Sequence, residues 1–476
     1  MTSTATRPVL SKAPGTDNRP GPLLGVLLAA QFMALLDTFI VNVAAPTIRA
    51  ELAASGAELQ LVVAGYTTAY AVLLVTGARL GDLLGHRRAY LGGLALFTAA
   101  SLACGLASGT GQLIAFRVAQ GAGAALMIPQ VLSLIQRTFT GEARGRALGA
   151  YAAVLATGAA AGQVLGGVLV SADLFGTGWR PVFLVNAPIG IVLLVLGARV
   201  LPPDVTTGSR TRRLDLPGLV LLAAAVTLLT VPLVLGQEYD WPLWTWLSLG
   251  GSVPVLATFA LHESRLARRG GAPLIAPRVL RRPGMGVAVL RIALATGVNA
   301  GFLFVLTLHL QGGLGHSALR AGLTFAPAAV AFGIVGLTWR RRPAWAAPLL
   351  VPGGFLLAAV AALAVGRILA DGTGGGWALP PALGAMGVGL SLAFSPVLTG
   401  ALATVRPEDA TDAGGLLATV TQLGQLVGVA AFGALFLGRA AGGGPVPSAD
   451  ALWTTALALA AASGAGAVVG RVRRAR

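Results

Sequence analysis

The sequence holds a single cysteine in 476 residues. Cys104 lies in an apolar run, so no disulfide framework and no cysteine-based zinc or iron–sulfur site can form. His86, His262, His309 and His316 are scattered without metal-ligand spacing, and no metal or other cofactor is expected. Lys12, followed by Ala13, is the sole lysine. A phosphate-cradling G-x-x-x-x-G-K-[ST] loop is therefore absent, which excludes an ATP-driven pump within this chain. The chain also lacks a G-x-S-x-G elbow and an H-E-x-x-H pair, and no enzyme activity is expected. Charge is scarce as well. Only 11% of residues are charged, against about 25% in soluble proteins, while 55% are hydrophobic. A water-soluble fold of this size could not hide so much apolar surface. An integral membrane protein remains.

What charge there is has one dominant sign, with 34 basic against 17 acidic residues and a net charge of +17. The basic residues sit in short clusters between apolar runs, so they read as membrane topology and lipid contact and not as a nucleic-acid surface. Apolar windows of roughly 20 residues, the length of a membrane-crossing helix, fall near 22–46, 59–77, 89–108, 112–135, 147–171, 181–200, 216–236 and 243–261. Six more fall near 286–310, 320–339, 346–369, 378–400, 413–437 and 450–470. The expected fold is thus all-α and integral to the membrane, with fourteen spans. Even parity puts both termini on one side. If that side is the cytoplasm, only Arg49, Arg180, Arg320, Arg367 and Arg439 fall outside and only Arg117 and Arg291 fall within spans. The positive-inside rule favours this arrangement in a plasma membrane. All eight tryptophans lie near span ends, as an aromatic belt requires.

The longest polar connections, 201–215 and 262–285, bracket two spans. They suggest a cytoplasmic tail over 1–20, a six-helix bundle over 21–200 and a linker with two extra helices over 201–284. A second six-helix bundle over 285–470 and a basic cytoplasmic tail over 471–476 complete the layout. GQVLG (162–166) and GQLVG (424–428) fall on the fifth span of each block, as a parallel internal repeat would place them.

Of the acidic residues, only Asp37 sits well inside a span. A charged carboxylate in hydrocarbon costs about 2.5–3.5 kcal/mol on insertion scales, so such a group should have a use. Hydrocarbon favours its neutral form, which makes it a candidate proton carrier. Gln31, Thr38 and Asn42 repeat at helical spacing on the same span and form a polar stripe beside it. Arg117 is the most deeply placed base, with Gln120 and Gly121 on its face. Guanidinium stays charged, so it cannot carry the proton but can tune a carboxylate. Tyr66, Tyr70, Gln130, Asn299 and Gln425 are further polar groups at span positions and candidates for a substrate cavity; any of them could instead tie helices together.

These residues lie in an ordered series of motifs. LLDTFIVNVAAP (35–46) carries Asp37, and ARLGDLLGHRR (78–88) follows the second span. FRVAQGAGAALMIP (116–129) lies on the fourth span, with EARGRALG (142–149) after it. ATGAAAGQVLGG (156–167) lies on the fifth span and WRPVFLVNAPIG (179–190) opens the sixth. HLQGGLGHSALRAGLTFAPAA (309–329) covers the ninth and tenth. The set resembles the major facilitator superfamily, specifically its fourteen-span drug:proton antiporter branch. The resemblance implies two six-helix bundles plus two linking helices and alternating access around a midplane cavity. It places the proton-coupling acid at Asp37, with Arg117 as its partner. It implies a gating loop at Asp82, Gly85, Arg87 and Arg88, although Ala78, Leu83 and His86 depart from the usual residues there. It also implies a flexible fifth-span motif at Gly158, Gly162, Gln163, Gly166 and Gly167, with Gln163 where proline is usual. The implied partners are protons, the bilayer and an amphipathic small molecule, handled by a monomer. Export of drugs or antibiotics leads. A dedicated exporter of one endogenous metabolite and, through Gln163, a proton-coupled uptake symporter stay open.

Overall fold

The computed structural model describes residues 20–173, 176–204, 215–236, 239–271, 273–275, 277–341, 343–403, 405, 410–440 and 444–469. The tail over 471–476, residues 1–19, and the side chains of Asp82 and Gln163 lie outside them.

Fourteen helical rods follow one another in these residues. The first six are α1 (Pro20–Leu52), α2 (Gly56–Leu84), α3 (His86–Gly105), α4 (Thr110–Thr138), α5 (Gly141–Ser171) and α6 (Pro181–Leu184 continued by Asn186–Val200). Then come α7 (Leu216–Leu235) and α8 (Leu243–Arg268). The last six are α9 (Met285–Leu308, ending in a π-turn over His309–Gly313), α10 (Ala318–Thr324 continued by Ala326–Thr338), α11 (Ala347–Ile368), α12 (Leu379–Ala403), α13 (Ala410–Arg439) and α14 (Pro445–Val468). Each rod coincides with one apolar window of the sequence. Twelve of them are long and apolar enough to cross a membrane; α3 and α5 occupy the two remaining windows.

Local chemistry sets the helix starts. Ser55 opens α2 with a capping box: its hydroxyl accepts from the Glu58 amide at 3.1 Å while Glu58 accepts from the Ser55 amide at 2.9 Å. Asp215 caps α7 through the Gly218 amide at 2.9 Å. Gly85 separates α2 from α3 at φ +99°, a conformation that side chains resist.

The rods alternate in direction. The face where α1 begins is called near, and the face where it ends is called far. Helix α5 lies along α1 and α13 lies along α9. The two GQ motifs mark both contacts. A Cβ at Gly166 would meet the Ile40 carbonyl at 3.0 Å, and one at the equivalent Gly428 would meet the Gly297 carbonyl at 2.1 Å. The same small residue thus permits the same close approach in each half. Across the halves, α2 packs on α13 and α5 packs on α10, while α7 lies against α8, α2 and α13.

The buried apolar side chains divide unequally along the membrane normal. In the far half, one cluster joins both halves of the chain, from Leu36, Ile40 and Val63 to Phe304, Leu310 and Phe325. In the near half the clusters are separate. One gathers Leu27, Tyr90, Phe97 and Val131, the other Met285, Ile292, Val397 and Leu417. The main apolar core is thus continuous between the bundles toward the far face and divided toward the near face, where a smaller cluster through Val72, Leu222 and Leu426 still joins α2, α7 and α13.

The tryptophan belt is not complete. Trp246, Trp345 and Trp377 are exposed as expected, but Trp179 is fully buried. It packs edge-on against Phe183 with ring centroids 5.8 Å apart, and Arg180 lies 4.8 Å over its ring. Proximity to a span end does not distinguish a lipid-facing indole from one turned into the bundle.

Candidate functional site

Asp37 and Arg117 meet in the interior of the first bundle. Arg117 Nη1 stands 2.5 Å from Asp37 Oδ2, and both residues are fully buried. Residues 37 and 117 come from α1 and α4, which cross here. The other carboxylate oxygen, Oδ1, accepts from Gln120 Nε2 at 2.7 Å and from Asn186 Nδ2 at 2.8 Å. Gln120 Oε1 in turn accepts from Arg117 Nη1 at 2.6 Å, and the Val62 carbonyl accepts from Arg117 Nε at 3.1 Å. The Ser101 hydroxyl closes the ring, accepting from Asn186 Nδ2 at 3.1 Å and from Gln120. Tyr66 covers the guanidinium, whose centre lies 4.4 Å from the ring centroid.

This arrangement has a clear energetic logic. A buried ion pair is tolerable only when its remaining lone pairs and protons are satisfied. Here α1, α2, α3, α4 and α6 each supply a group. Removing either charge leaves the other uncompensated, at a cost of roughly 3–5 kcal/mol. Protonating Asp37 is such a removal.

The chain's profile matches that of one family, the Major Facilitator Superfamily, over residues 27–429. The chain belongs to the Major Facilitator Superfamily. It is a multi-pass membrane transporter and its fold is the superfamily's. Among curated relatives, the "probable actinorhodin transporter" of Streptomyces coelicolor is 42% identical over 87% of this chain and 72% of its own length. The "cephamycin export protein CmcT" of Amycolatopsis lactamdurans is 40% identical over 84% of this chain and 82% of its own. The "multidrug resistance protein Stp" of Mycobacterium tuberculosis is 32% identical over 85% and 73%. Among solved structures, a bacterial homologue of the human lysosomal transporter Spinster, in an inward-facing and occupied conformation, superposes with a TM-score of 0.67. It covers 97% of this chain and 98% of its own at 17% identity, a likeness of fold.

In this Major Facilitator protein the other polar residues flagged within the spans fall into four groups. Gln31 and Asn42 are buried on α1, and the Thr38 hydroxyl donates to the Ala34 carbonyl at 2.9 Å. Tyr66 and Tyr70 are buried together on α2, with ring centroids 6.0 Å apart. Gln130 acts as a tie between helices. Its Nε2 donates to the Gly77 carbonyl at 2.8 Å, and its Oε1 lies 2.7 Å from His86 Nδ1. Asn299 and Gln425 are half-buried on α9 and α13.

The loop after α2 holds a group the sequence reading missed. Asp204 reaches back from beyond α6 and accepts from the Arg87 amide at 2.9 Å and the Arg88 amide at 3.2 Å. Arg87 Nη2 donates to the Ala198 carbonyl at 2.5 Å. A Cβ on Gly85 would strike the Asp204 carboxyl at 2.1 Å. Asp204 thus caps α3 and ties it to α6.

On α5, Gly158, Gly162 and Gly166 face Leu35, Leu36 and Ile40 of α1, whereas Gly167 faces α10, where a Cβ would lie 2.6 Å from the Ala318 carbonyl. At the far face Gln311 Nε2 donates to the Val43 carbonyl at 2.9 Å, and the Leu319 amide donates to Ser171 Oγ at 2.9 Å. Between the bundles on that face lies a cavity of about 920 Å³, lined among others by Arg49, Gln60, Gly312, Phe436 and Ser448. Asp37 is not part of its lining. Asn186, Ser101 and Gln311 were also missed: each is a single uncharged polar residue in or beside an apolar run, and Asn186 and Gln311 lie in quoted motifs without standing out there.

Proposed function

We propose that this chain is a proton-coupled exporter of amphipathic small molecules across the cell membrane, with Asp37 as the proton-carrying group. The observation that carries the reading is the sealed Asp37–Arg117 pair. In this reading the charged pair holds α1, α4 and α6 together. A proton arriving from the acidic side neutralises Asp37, removes the pair and leaves Arg117 as an unpaired charge. The bundle must then rearrange. Loss of the proton on the other side restores the pair. A membrane potential of 100 mV adds about 2.3 kcal/mol per charge moved.

In this proposal the bundles over 21–200 and 285–470 rock about the linker over 201–284, and both termini are cytoplasmic, as the basic-residue census favours. The near face is then the cytoplasmic one, and the cross-bundle contacts of Gln311 with Val43 and of Ser171 with Leu319 lie toward the outer face. The protein works as a monomer. Relatives named for actinorhodin and cephamycin favour a natural product of the producing cell as cargo over a broad range of drugs.

The test is transport in proteoliposomes across an imposed pH gradient. Wild-type protein should drive efflux of a fluorescent amphipathic dye or a candidate natural product, and Asp37→Asn should not. Equal proton-driven transport by both proteins would reject the coupling role of Asp37. Accumulation in the opposite direction would reject export.

A further inference from the structure

We propose that the near-face ends of α7 and α8 form a binding site for one divalent transition-metal ion, of the zinc class, ligated by Asp215, His262 and Glu263. The three residues bring one ligand atom each to within 4.8 Å of one another. Asp215 and Glu263 are 6% and 2% exposed, and His262 opens the cluster to solvent. This inference stands apart from the transport reading above.

The geometry assigns each oxygen a task. Asp215 Oδ1 accepts from the Gly218 amide at 2.9 Å and lies 2.8 Å from His262 Nε2. Glu263 Oε2 accepts from the Ile275 amide at 2.6 Å. The second oxygens, Asp215 Oδ2 and Glu263 Oε1, are buried and have no hydrogen-bond partner outside this pair of carboxyls. Both lie against Gly218, where a Cβ would come within 2.2 Å of the first and 2.8 Å of the second. The two oxygens therefore stand side by side at a place that only glycine leaves to them.

Two carboxylate oxygens that converge out of water repel each other and lack donors. A cation between them answers both defects. The nearby imidazole narrows the choice. A neutral histidine nitrogen is a poor ligand for magnesium or calcium and a good one for zinc. One nitrogen and two carboxylates leave a fourth, tetrahedral position for water. The amides of Gly218 and Ile275 already hold the ligating carboxylates in place, as supporting groups around a metal do. Arg79 of α2 stands close enough to act on Glu263 and donates to the Pro273 carbonyl. Its charge lowers the affinity but leaves the cluster with net charge −1 when His262 is neutral. A bound ion would clamp α7 to α8 beside α2.

The test uses full-length, untagged protein in detergent, stripped with a chelator and titrated with Zn²⁺ at pH 7 by calorimetry. Co²⁺ serves as a spectroscopic probe. We expect one Zn²⁺ per chain, tetrahedral-type Co²⁺ absorption, and at least tenfold weaker binding in His262→Ala and Glu263→Gln. His316→Ala should bind as wild type does. Zn²⁺ should also raise the unfolding temperature of the wild type and not of His262→Ala. No Zn²⁺ binding by the wild type overturns the proposal and leaves a proton shared between the carboxyls. Undiminished binding by His262→Ala overturns it too. His262 is partly exposed, so that variant folds without a cavity.

Discussion

Asn186 and Gln120 donate to the same oxygen of Asp37, from 2.8 and 2.7 Å. The opposite oxygen is left to Arg117 alone. Asp37 is therefore held by two neutral amides and one charge, which arrive from α6 and α4. A side chain so fully partnered changes its bonding only when the helices move or when it gains a proton. That links the charge of one residue to the packing of three helices.

The first prediction separates stability from coupling. Asp37→Asn leaves Arg117 buried without a counter-charge and should lower stability by roughly 3–5 kcal/mol. Arg117→Gln in the same molecule removes the orphaned charge and should restore most of the unfolding temperature. Neither variant should couple transport to protons. Thermal unfolding in detergent, read beside proteoliposome transport, checks both. If the double variant is no more stable than Asp37→Asn, the pair does not bear on folding in this way.

A second prediction concerns the start of α3. Asp204→Ala removes the acceptor for two amides at a helix N-terminus and should cost about 0.5–2 kcal/mol. Gly85→Ala meets both the left-handed φ of +99° and the Asp204 carboxyl. It should cost at least as much. The two effects share one contact, so the double variant should fall short of their sum. Additive losses in a double-mutant cycle would count against the contact.

A third prediction uses the close approach of α5 and α10. Gly167→Val places a branched side chain against the Ala318 carbonyl, and overpacking of this kind costs about 1–3 kcal/mol. The contact joins the two bundles, so transport should fall along with stability. Gly92→Ala, which meets nothing within 4 Å, should change neither. Transport by Gly167→Val at the wild-type rate would show that this face need not close tightly.

A fourth prediction tests whether the far-face contact between the bundles opens during transport. Ser171→Cys with Leu319→Cys, in a Cys104→Ser background, puts two thiols at the cross-bundle contact now made by Ser171 Oγ and the Leu319 amide. Oxidative cross-linking should stop transport at least tenfold, and reduction should restore it. A cross-linked protein that still transports would mean that the far face does not part here.

Much of this was legible in the sequence, and the reasons are specific. A helix in hydrocarbon must satisfy its own backbone, so each apolar window of about 20 residues became a rod. Asp37 and Arg117 stood out because charge is so costly in those windows that chance seldom leaves it there. The two GQ motifs announced matching close contacts because only small residues let helix backbones approach. These are local penalties, and a linear sequence records them.

The partners of those residues were decided by tertiary structure alone. No spacing rule joins residue 37 to 186, residue 85 to 204 or residue 215 to 262 and 263. Asn186, Asp204 and Asp215 are ordinary polar residues until folding carries them across the bundle to a donor or acceptor that burial has left without water. Trp179 shows the same limit, since which side of a helix faces lipid depends on what its neighbours cover. The cost of burying a charge can be read one residue at a time, but its compensation comes from residues far away in the chain and requires the fold.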